Sequence, residues 1–228
     1  MRQTALVTGA SSGIGRALVV QLTGRGLSVV ASGRKKDLLA ELAEQTGCFP
    51  VVADLSDPGG PRQLYRQTCR LLGGAPDFLI NNAGYNSRKA AWVDVTDEEL
   101  DEQYRVNLRV PAILCREALR DMCARGSGHV VNVGSTAVLH GCETMGCYST
   151  MKHGLSGLTR VLIKEARPHG VKVTLVHPGG TDTGFRAADR PDYLRPESAA
   201  HMLCDALFSP ADVVVHELTF RPLVETNF

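Results

Sequence analysis

Thr4-Ala5-Leu6-Val7-Thr8-Gly9-Ala10-Ser11-Ser12-Gly13-Ile14-Gly15 is the stretch that decides the fold. Its first five residues form a short apolar run of β type that stops at a glycine-rich turn. Behind the turn, Leu18, Val19 and Leu22 recur at helical spacing as far as Gly24. Strand, glycine turn, helix is the order that aims backbone N–H groups and the positive end of a helix at a phosphate. The spacing is Gly-x-x-x-Gly-x-Gly rather than Gly-x-Gly-x-x-Gly, but the demands are alike. Gly9 permits the tight turn, and Gly13 and Gly15 let a backbone come close. The other reading is a turn that merely tolerates glycine; the position after the first strand favours the phosphate cradle.

Strand and helix patterns alternate through the rest of the chain. Strands are predicted at Leu27–Ser32, Phe49–Ala53, Asp77–Ile80, His129–Val133, Val171–Val176 and Val213–Phe220. Helices are predicted at Asp37–Gly47, Pro61–Leu72, Cys147 to about Arg167 and Pro196 to about Phe208. A long helix also opens at the capping box Thr96-Asp97-Glu98-Glu99 and runs to about Cys123, kinked at Pro111. Gly154 and Gly157 allow close approach along the helix that starts at Cys147. This order predicts an α/β chain of Rossmann type: a doubly wound, seven-stranded parallel sheet with helices on both faces, a three-layer sandwich. With no repeats, linkers or low-complexity tracts, residues 1–228 read as a single domain. Ligands of such sheets sit beyond the carboxyl ends of the strands. Gly9, Arg34, Asp54, Asn82, Ser135 and Thr181 all follow strands, an agreement stronger than any one motif.

Composition narrows the function classes. The chain has 228 residues, 43% apolar and 21% charged, which fits a globular domain with a sizeable core rather than a disordered chain. Its net charge of +1 supplies no field to gather nucleic acid or an anionic membrane. Seven scattered cysteines without C-x-x-C spacing argue against a zinc site or a disulfide framework, and for a reducing cytoplasm. Met1-Arg2-Gln3 leads straight into the first strand. Ala5–Val7 is too short for a signal peptide, and no run reaches the ~18 apolar residues of a membrane span.

Several positions carry chemistry. Gly33-Arg34-Lys35-Lys36 follows the second strand, where a dinucleotide site meets the adenosine ribose. A carboxylate there would suit a 2′-hydroxyl; three cations and no acid before Asp37 suit a 2′-phosphate, so NADP is preferred to NAD. Alternatively, the triplet only opens the next helix in solvent. Asp54 can accept from an adenine amino group or cap the following helix. Asn81-Asn82-Ala83-Gly84 suits either a polar edge beside a ligand or a plain turn. Asn107, among apolar neighbours, needs a partner: it serves a site or bridges the kink through water. Tyr148-Ser149-Thr150-Met151-Lys152 places a phenol and an ammonium one helical turn apart, and the ammonium favours the phenolate. Alone, that pair reads as a solvated helix face.

Together these residues closely resemble the short-chain dehydrogenase/reductase family. The resemblance rests on Thr8-Gly9-x-x-x-Gly13-x-Gly15, Asp54, Asn81-Asn82-Ala83-Gly84, Asn107, Ser135, Tyr148-x-x-x-Lys152 and Pro178-Gly179, and it spans Thr4 to Phe220. Ser135 precedes Tyr148 by 13 residues, as the family pattern expects. The resemblance implies an enzyme interconverting a ketone and a secondary alcohol with NADP(H), favoured over NAD(H), and without a metal. Tyr148 would be the general acid and base, Ser135 would orient the carbonyl, and Lys152 would lower the tyrosine pKa and bind the nicotinamide ribose. Asn107 would hold a relay water. Gly9, Ser11, Ser12, Gly13, Ile14 and Gly15 would line the pyrophosphate, with Arg34 at the NADP-type position and Asp54 at adenine. Asn82, Ala83 and Gly84 would flank the adenosine ribose, and Pro178, Gly179, Thr181 and Thr183 would cover the nicotinamide. Asn81 would tie central strands together. A homodimer or homotetramer built on the helices at 96–123 and 147–167 is implied, with a small carbonyl or alcohol as substrate and neither nucleic acid nor membrane as partner.

The chain also departs from the pattern. Gly134 stands where many members carry a second serine, which should free space. The substrate lid at about 184–195 is short, suiting an open pocket and a bulky or carrier-attached substrate. Its Arg186, Arg190 and Arg195, beside Phe185 and Tyr193, are either substrate contacts or solvated charges. Glu217–Pro222 lacks the glycine-rich ending of the family's ketoacyl reductases, which counts against fatty-acid synthesis. Tyr85, His140, Cys142, Met145 and Phe185 are expected in the pocket wall, with Cys142 and Cys147 packing rather than sensing redox. A catalytically idle dinucleotide-binding regulator or scaffold is the alternative function, and a structural partner subunit a third; the intact Asn107, Ser135, Tyr148 and Lys152 set disfavours idleness.

Overall fold

The computed structural model describes residues 2–185 and 190–226. Seven strands, β1 (Thr4–Thr8), β2 (Ser28–Gly33), β3 (Phe49–Val52), β4 (Phe78–Asn81), β5 (Gly128–Val133), β6 (Val171–Pro178) and β7 (Glu217–Phe220), form one sheet in the order β3-β2-β1-β4-β5-β6-β7. Every pairing is parallel. The helices are α1 (Gly13–Gly24), α2 (Lys36–Thr46), α3 (Gly60–Leu72), α4 (Asp97–Tyr104), α5 (Val110–Arg125), α6 (Gly146–Ala166) and α7 (Pro196–Leu207). The architecture is the expected Rossmann-like α/β sheet, and most element ends fall within a residue or two of the sequence reading.

Strand β1 shows why the sheet is covered on both sides. Ala5, Leu6 and Val7 are fully buried, and alternate residues enter different cores. Ala5 and Val7 join Leu18, Leu39 and Leu203 of α1, α2 and α7; Leu6 joins Leu64, Leu114 and Ala166 of α3, α5 and α6. A continuous apolar strand buried on both faces is what a parallel sheet with helical crossovers requires. The strand order reverses between β1 and β4, the point at which sheets of this kind open a crevice beyond the carboxyl ends.

Three expectations are corrected. The long helix is not one kinked rod: Arg105–Arg109 forms a π-helical turn between α4 and α5. Pro111 has no N–H to meet the Asn107 carbonyl, and the chain widens so that the Val110 N–H reaches back to Arg105 O. The capping box does form, with Glu99 N–H donating to Thr96 Oγ1 (3.2 Å) and Thr96 N–H to Glu99 Oε2 (3.1 Å). Secondly, β7 starts at Glu217, not Val213. Side chains of β6 take the carbonyls a longer ladder would use: Lys172 Nζ donates to Val213 O (2.6 Å) and Thr174 Oγ1 to Val215 O (2.6 Å). Thirdly, Gly154 does accept Leu108 closely, but Gly157 has nothing within 4 Å of where a Cβ would stand.

No helix is long and apolar enough to cross a membrane among the described residues. All seven cysteines are free. Burial pushes the Cys147 thiol up, away from the thiolate.

Candidate active site

The glycine turn closes the crevice floor. Gly9 has φ +67°, and a Cβ on Gly15 would strike the Gly9 carbonyl and the Asn82 amide. Ser12 caps α1 in extended conformation with no side-chain bond to the helix, and the first turn carries no acid. The N–H groups of that turn therefore remain for an outside acceptor. Thr183 packs over Gly13, its Cγ2 3.0 Å from where a Cβ would stand. This cradle, too narrow for any side chain, fits the pyrophosphate of a dinucleotide.

Asn82 and Ala83 fasten the other wall. Thr8 Oγ1 accepts from the N–H groups of Asn82 (3.1 Å) and Ala83 (3.0 Å), while Asn82 Nδ2 donates to Thr8 O (2.9 Å) and Gly9 O (3.3 Å). The two asparagines thus have separate work. Asn81 is buried and donates to Asn132 Oδ1 (2.8 Å), tying β4 to β5. Arg34 is exposed just past β2, and Ser11 Oγ lies 3.0 Å from where a Gly33 Cβ would be. Lys35 and Lys36 do open α2. Asp54 does not cap α3; its Oδ1 accepts from Ser56 N–H (2.9 Å) and Oγ (2.7 Å), bonds that lower its pKa. It stands exposed at the crevice end of β3.

Tyr148 and Lys152 are not on a solvated helix face. They are 7% and 3% exposed. Lys152 Nζ lies 5.7 Å from the Tyr148 ring centroid and donates to Val133 O at 2.8 Å, next to the end of β5. Burial lowers the Lys152 pKa to about 8. Two residues beyond Val133, Ser135 is extended, and its Oγ accepts from Ala137 N–H at 3.1 Å. With a lone pair so engaged, the hydroxyl proton is directed elsewhere. A Cβ on Gly84 would sit 3.7 Å from Lys152 Nζ and 3.4 Å from Asn107 Oδ1, so the three meet. Asn107 is buried and pairs both ways with the Tyr85 backbone: Tyr85 N–H donates to Oδ1 (3.0 Å) and Nδ2 donates to Tyr85 O (2.7 Å).

The Pro178–Thr183 segment crosses above. Gly179 N–H donates to Phe220 O (2.8 Å), Gly180 N–H to Glu225 Oε1 (2.9 Å), and Thr181 Oγ1 to Gly179 O (3.2 Å). On either side of residues 186–189, the Phe185 ring lies 5.7 Å from that of Tyr148, and Arg190 stacks on Tyr193 (5.5 Å). Arg186 lies outside the described residues. Met145 lines a small hollow beside Tyr148, and His140 Nδ1 meets Arg221 at 2.9 Å.

One correction touches the serine. Gly134 does not leave free space: a Cβ there would stand 2.6 Å from His177 Nδ1. The imidazole fills the room a second serine would take. Sequence reasoning passed over His177, Glu217, Arg221 and Glu225; the one signal was the missing serine at 134.

Comparisons with known proteins agree with this fold. The family model described as short chain dehydrogenase matches residues 3–194. A short-chain type dehydrogenase/reductase of Sinorhizobium fredii is 33% identical over 232 residues, covering 96% of this chain and 91% of the relative. An oxidoreductase of Staphylococcus aureus is 33% identical over 225 residues, with 96% of each chain covered. Among solved structures, an alcohol dehydrogenase of the archaeon Thermococcus sibiricus complexed with 5-hydroxy-NADP superposes with a TM-score of 0.89 at 25% identity, covering 99% of this chain and 98% of that one. A metagenomic short-chain oxidoreductase in complex with NADP gives 0.86 at 28%, covering 96% and 97%. The chain belongs to the short-chain dehydrogenase/reductase family of NAD(P)-binding oxidoreductases.

Proposed function

We propose that this protein is an NADP(H)-dependent oxidoreductase that interconverts a ketone and a secondary alcohol. The observation that carries this reading is the meeting of buried Tyr148 and Lys152 with the Ser135 strand end, beside a glycine cradle no side chain could enter. Arg34 and Ser11, at the end of β2, favour the 2′-phosphate of NADP(H). The two solved relatives holding NADP or its 5-hydroxy derivative support that preference.

Bound there, the nicotinamide supplies hydride in reduction and accepts it in oxidation. Tyr148 gives its phenolic proton to the carbonyl oxygen, or takes it back in reverse. Ser135 donates to the same oxygen, and a preorganised donor of this kind contributes on the order of 3 kcal/mol. The Lys152 ammonium favours the tyrosinate. Its neighbour Asn107 fixes the Tyr85 loop, and the Asn107 main-chain carbonyl, which Pro111 has no N–H to meet, is the place for a relay water. Asp54 and Asn82–Gly84 take the adenosine side, and Pro178, Gly179, Thr181 and Thr183 the nicotinamide side. We place the protein in the cytoplasm as a single-domain homodimer or homotetramer; a clean monomer by light scattering would contradict the assembly.

Calorimetric titration with NADPH and NADH, followed by turnover on a panel of carbonyls, tests the reading. Tighter NADPH binding with carbonyl reduction is expected. Tighter NADH binding would reduce the basic triplet to solvated surface, and tight NADPH binding without turnover would mark an idle scaffold.

A further inference from the structure

We infer that His177 is a positioning residue for Ser135, held in one tautomer by Glu217, so that its protonation state sets the aim of the serine. This rests on the reading of Ser135 as the carbonyl-orienting group.

His177 lies on β6 and is fully buried. Its Nδ1 is the only side-chain atom that touches both main-chain polar groups of Ser135 among the described hydrogen bonds: 3.2 Å from the N–H and 3.0 Å from the carbonyl oxygen. On the far side of the ring, Nε2 stands 3.3 Å from Glu217 Oε1 on β7, a charge contact not aligned as a hydrogen bond. Glu217 in turn is bridged at 3.2 Å by Arg160 of α6, the helix that carries Tyr148 and Lys152. Gly134 is what admits the ring, since any Cβ there would collide with it. Glu217, three positions before Phe220, and the serine's own backbone are therefore coupled through one imidazole.

The ring cannot serve both Ser135 groups at once. With the proton on Nε2, that N–H lies in the field of the Glu217 carboxylate and the Nδ1 lone pair accepts the Ser135 N–H. With both nitrogens protonated, Nδ1–H turns to the Ser135 carbonyl and the Ser135 N–H loses its acceptor. A carboxylate at Nε2 selects the first arrangement at neutral pH. The charged groups facing the ring are Glu217 from β7 and Arg160 and Lys152 from α6. Burial, the largest influence, lowers the His177 pKa and favours the neutral ring; Glu217 and the bond to the Ser135 backbone pull the other way, and the two cations add to burial. Val133, held by Lys152, and Ser135, held by His177, flank Gly134, so two titratable side chains set the backbone that presents the hydroxyl.

The test compares wild type with His177→Leu, His177→Asn and Ser135→Ala, using NADPH and the best carbonyl of the panel. Asparagine can meet the Ser135 N–H without titrating. The expected result is a kcat at least about tenfold lower in His177→Leu, with NADPH Kd within about twofold, and recovery in His177→Asn to within about threefold of wild type. The acid limb of the wild-type pH profile should be missing in His177→Asn. Two-bond ¹H–¹⁵N correlation spectra of the folded wild type should show the Nε2–H tautomer at neutral pH, which decides the matter even if His177→Leu does not fold. Wild-type kcat in His177→Leu alongside a lost Ser135→Ala activity would overturn the inference alone, as would an Nδ1–H tautomer. Undiminished turnover in Ser135→Ala would overturn the reading of Ser135 and the positioning role with it.

Discussion

The Lys152 ammonium lies 5.7 Å from the centroid of the Tyr148 ring, one turn along α6, and both side chains are buried. A buried ammonium is costly to hold, and this one has no carboxylate among its described bonds, only the Val133 carbonyl. Its lowered pKa, about 8 against an ordinary 10.5, is that cost expressed as proton affinity. Between these two values the unfolded chain binds more protons at this site than the folded one, so the folded state gains stability as pH rises from about 8 towards 10.5. Lys152→Met removes the buried charge. It should raise stability at neutral pH by on the order of a few kcal/mol, and the advantage over wild type should shrink through that window while activity is lost. Chemical denaturation of both proteins at several pH values measures it.

Gly134 and His177 supply a second prediction. Gly134→Ser puts in a second serine beside Ser135, but its Cβ would enter the imidazole. The variant should lose about 1–3 kcal/mol of stability through overpacking. Added to a shortened residue, as in Gly134→Ser with His177→Ala, the same serine should cost far less. A double-mutant cycle by thermal unfolding gives the coupling.

How much of this was legible in the sequence follows from range. The strand–turn–helix at Thr4–Gly24 was plain because apolar spacing and glycine conformation are local. The capping box at Thr96 and Glu99 was plain for the same reason. Pro111 announced a break but not its form, because a kink and a π turn are alternative answers to one missing N–H. Val213–His216 looks like strand by composition, yet Lys172 and Thr174, some 40 residues earlier, take its carbonyls. The contact of His177 with Ser135 spans 42 positions and depends on the register of β5 with β6, which no local pattern encodes.

Asn107 carries a third prediction. Its amide is the partner of both polar groups of the Tyr85 backbone. Asn107→Ala leaves the Tyr85 N–H unmet in a half-buried loop, while Gln103 still reaches the Tyr85 carbonyl, and should cost about 1–3 kcal/mol. It should also weaken activity more than cofactor affinity, because the loop borders Gly84 and Lys152. Unfolding curves and NADPH titration of the variant separate the two effects.

Arg34 carries a fourth. It is exposed at the end of β2 beside Ser11. Arg34→Ala should weaken NADPH by about 10–100-fold, the worth of a charge-assisted phosphate contact, and leave NADH nearly unchanged. Parallel calorimetric titrations read the difference.

The central claim is that Tyr148 transfers the proton in a hydride-transfer reaction. The most direct measurement is NADPH-dependent carbonyl reduction by wild type and Tyr148→Phe at saturating cofactor, with NADPH affinity measured on both. The account predicts a fall in kcat on the order of 10²–10⁴ with affinity essentially kept. Comparable turnover in the phenylalanine variant would contradict it.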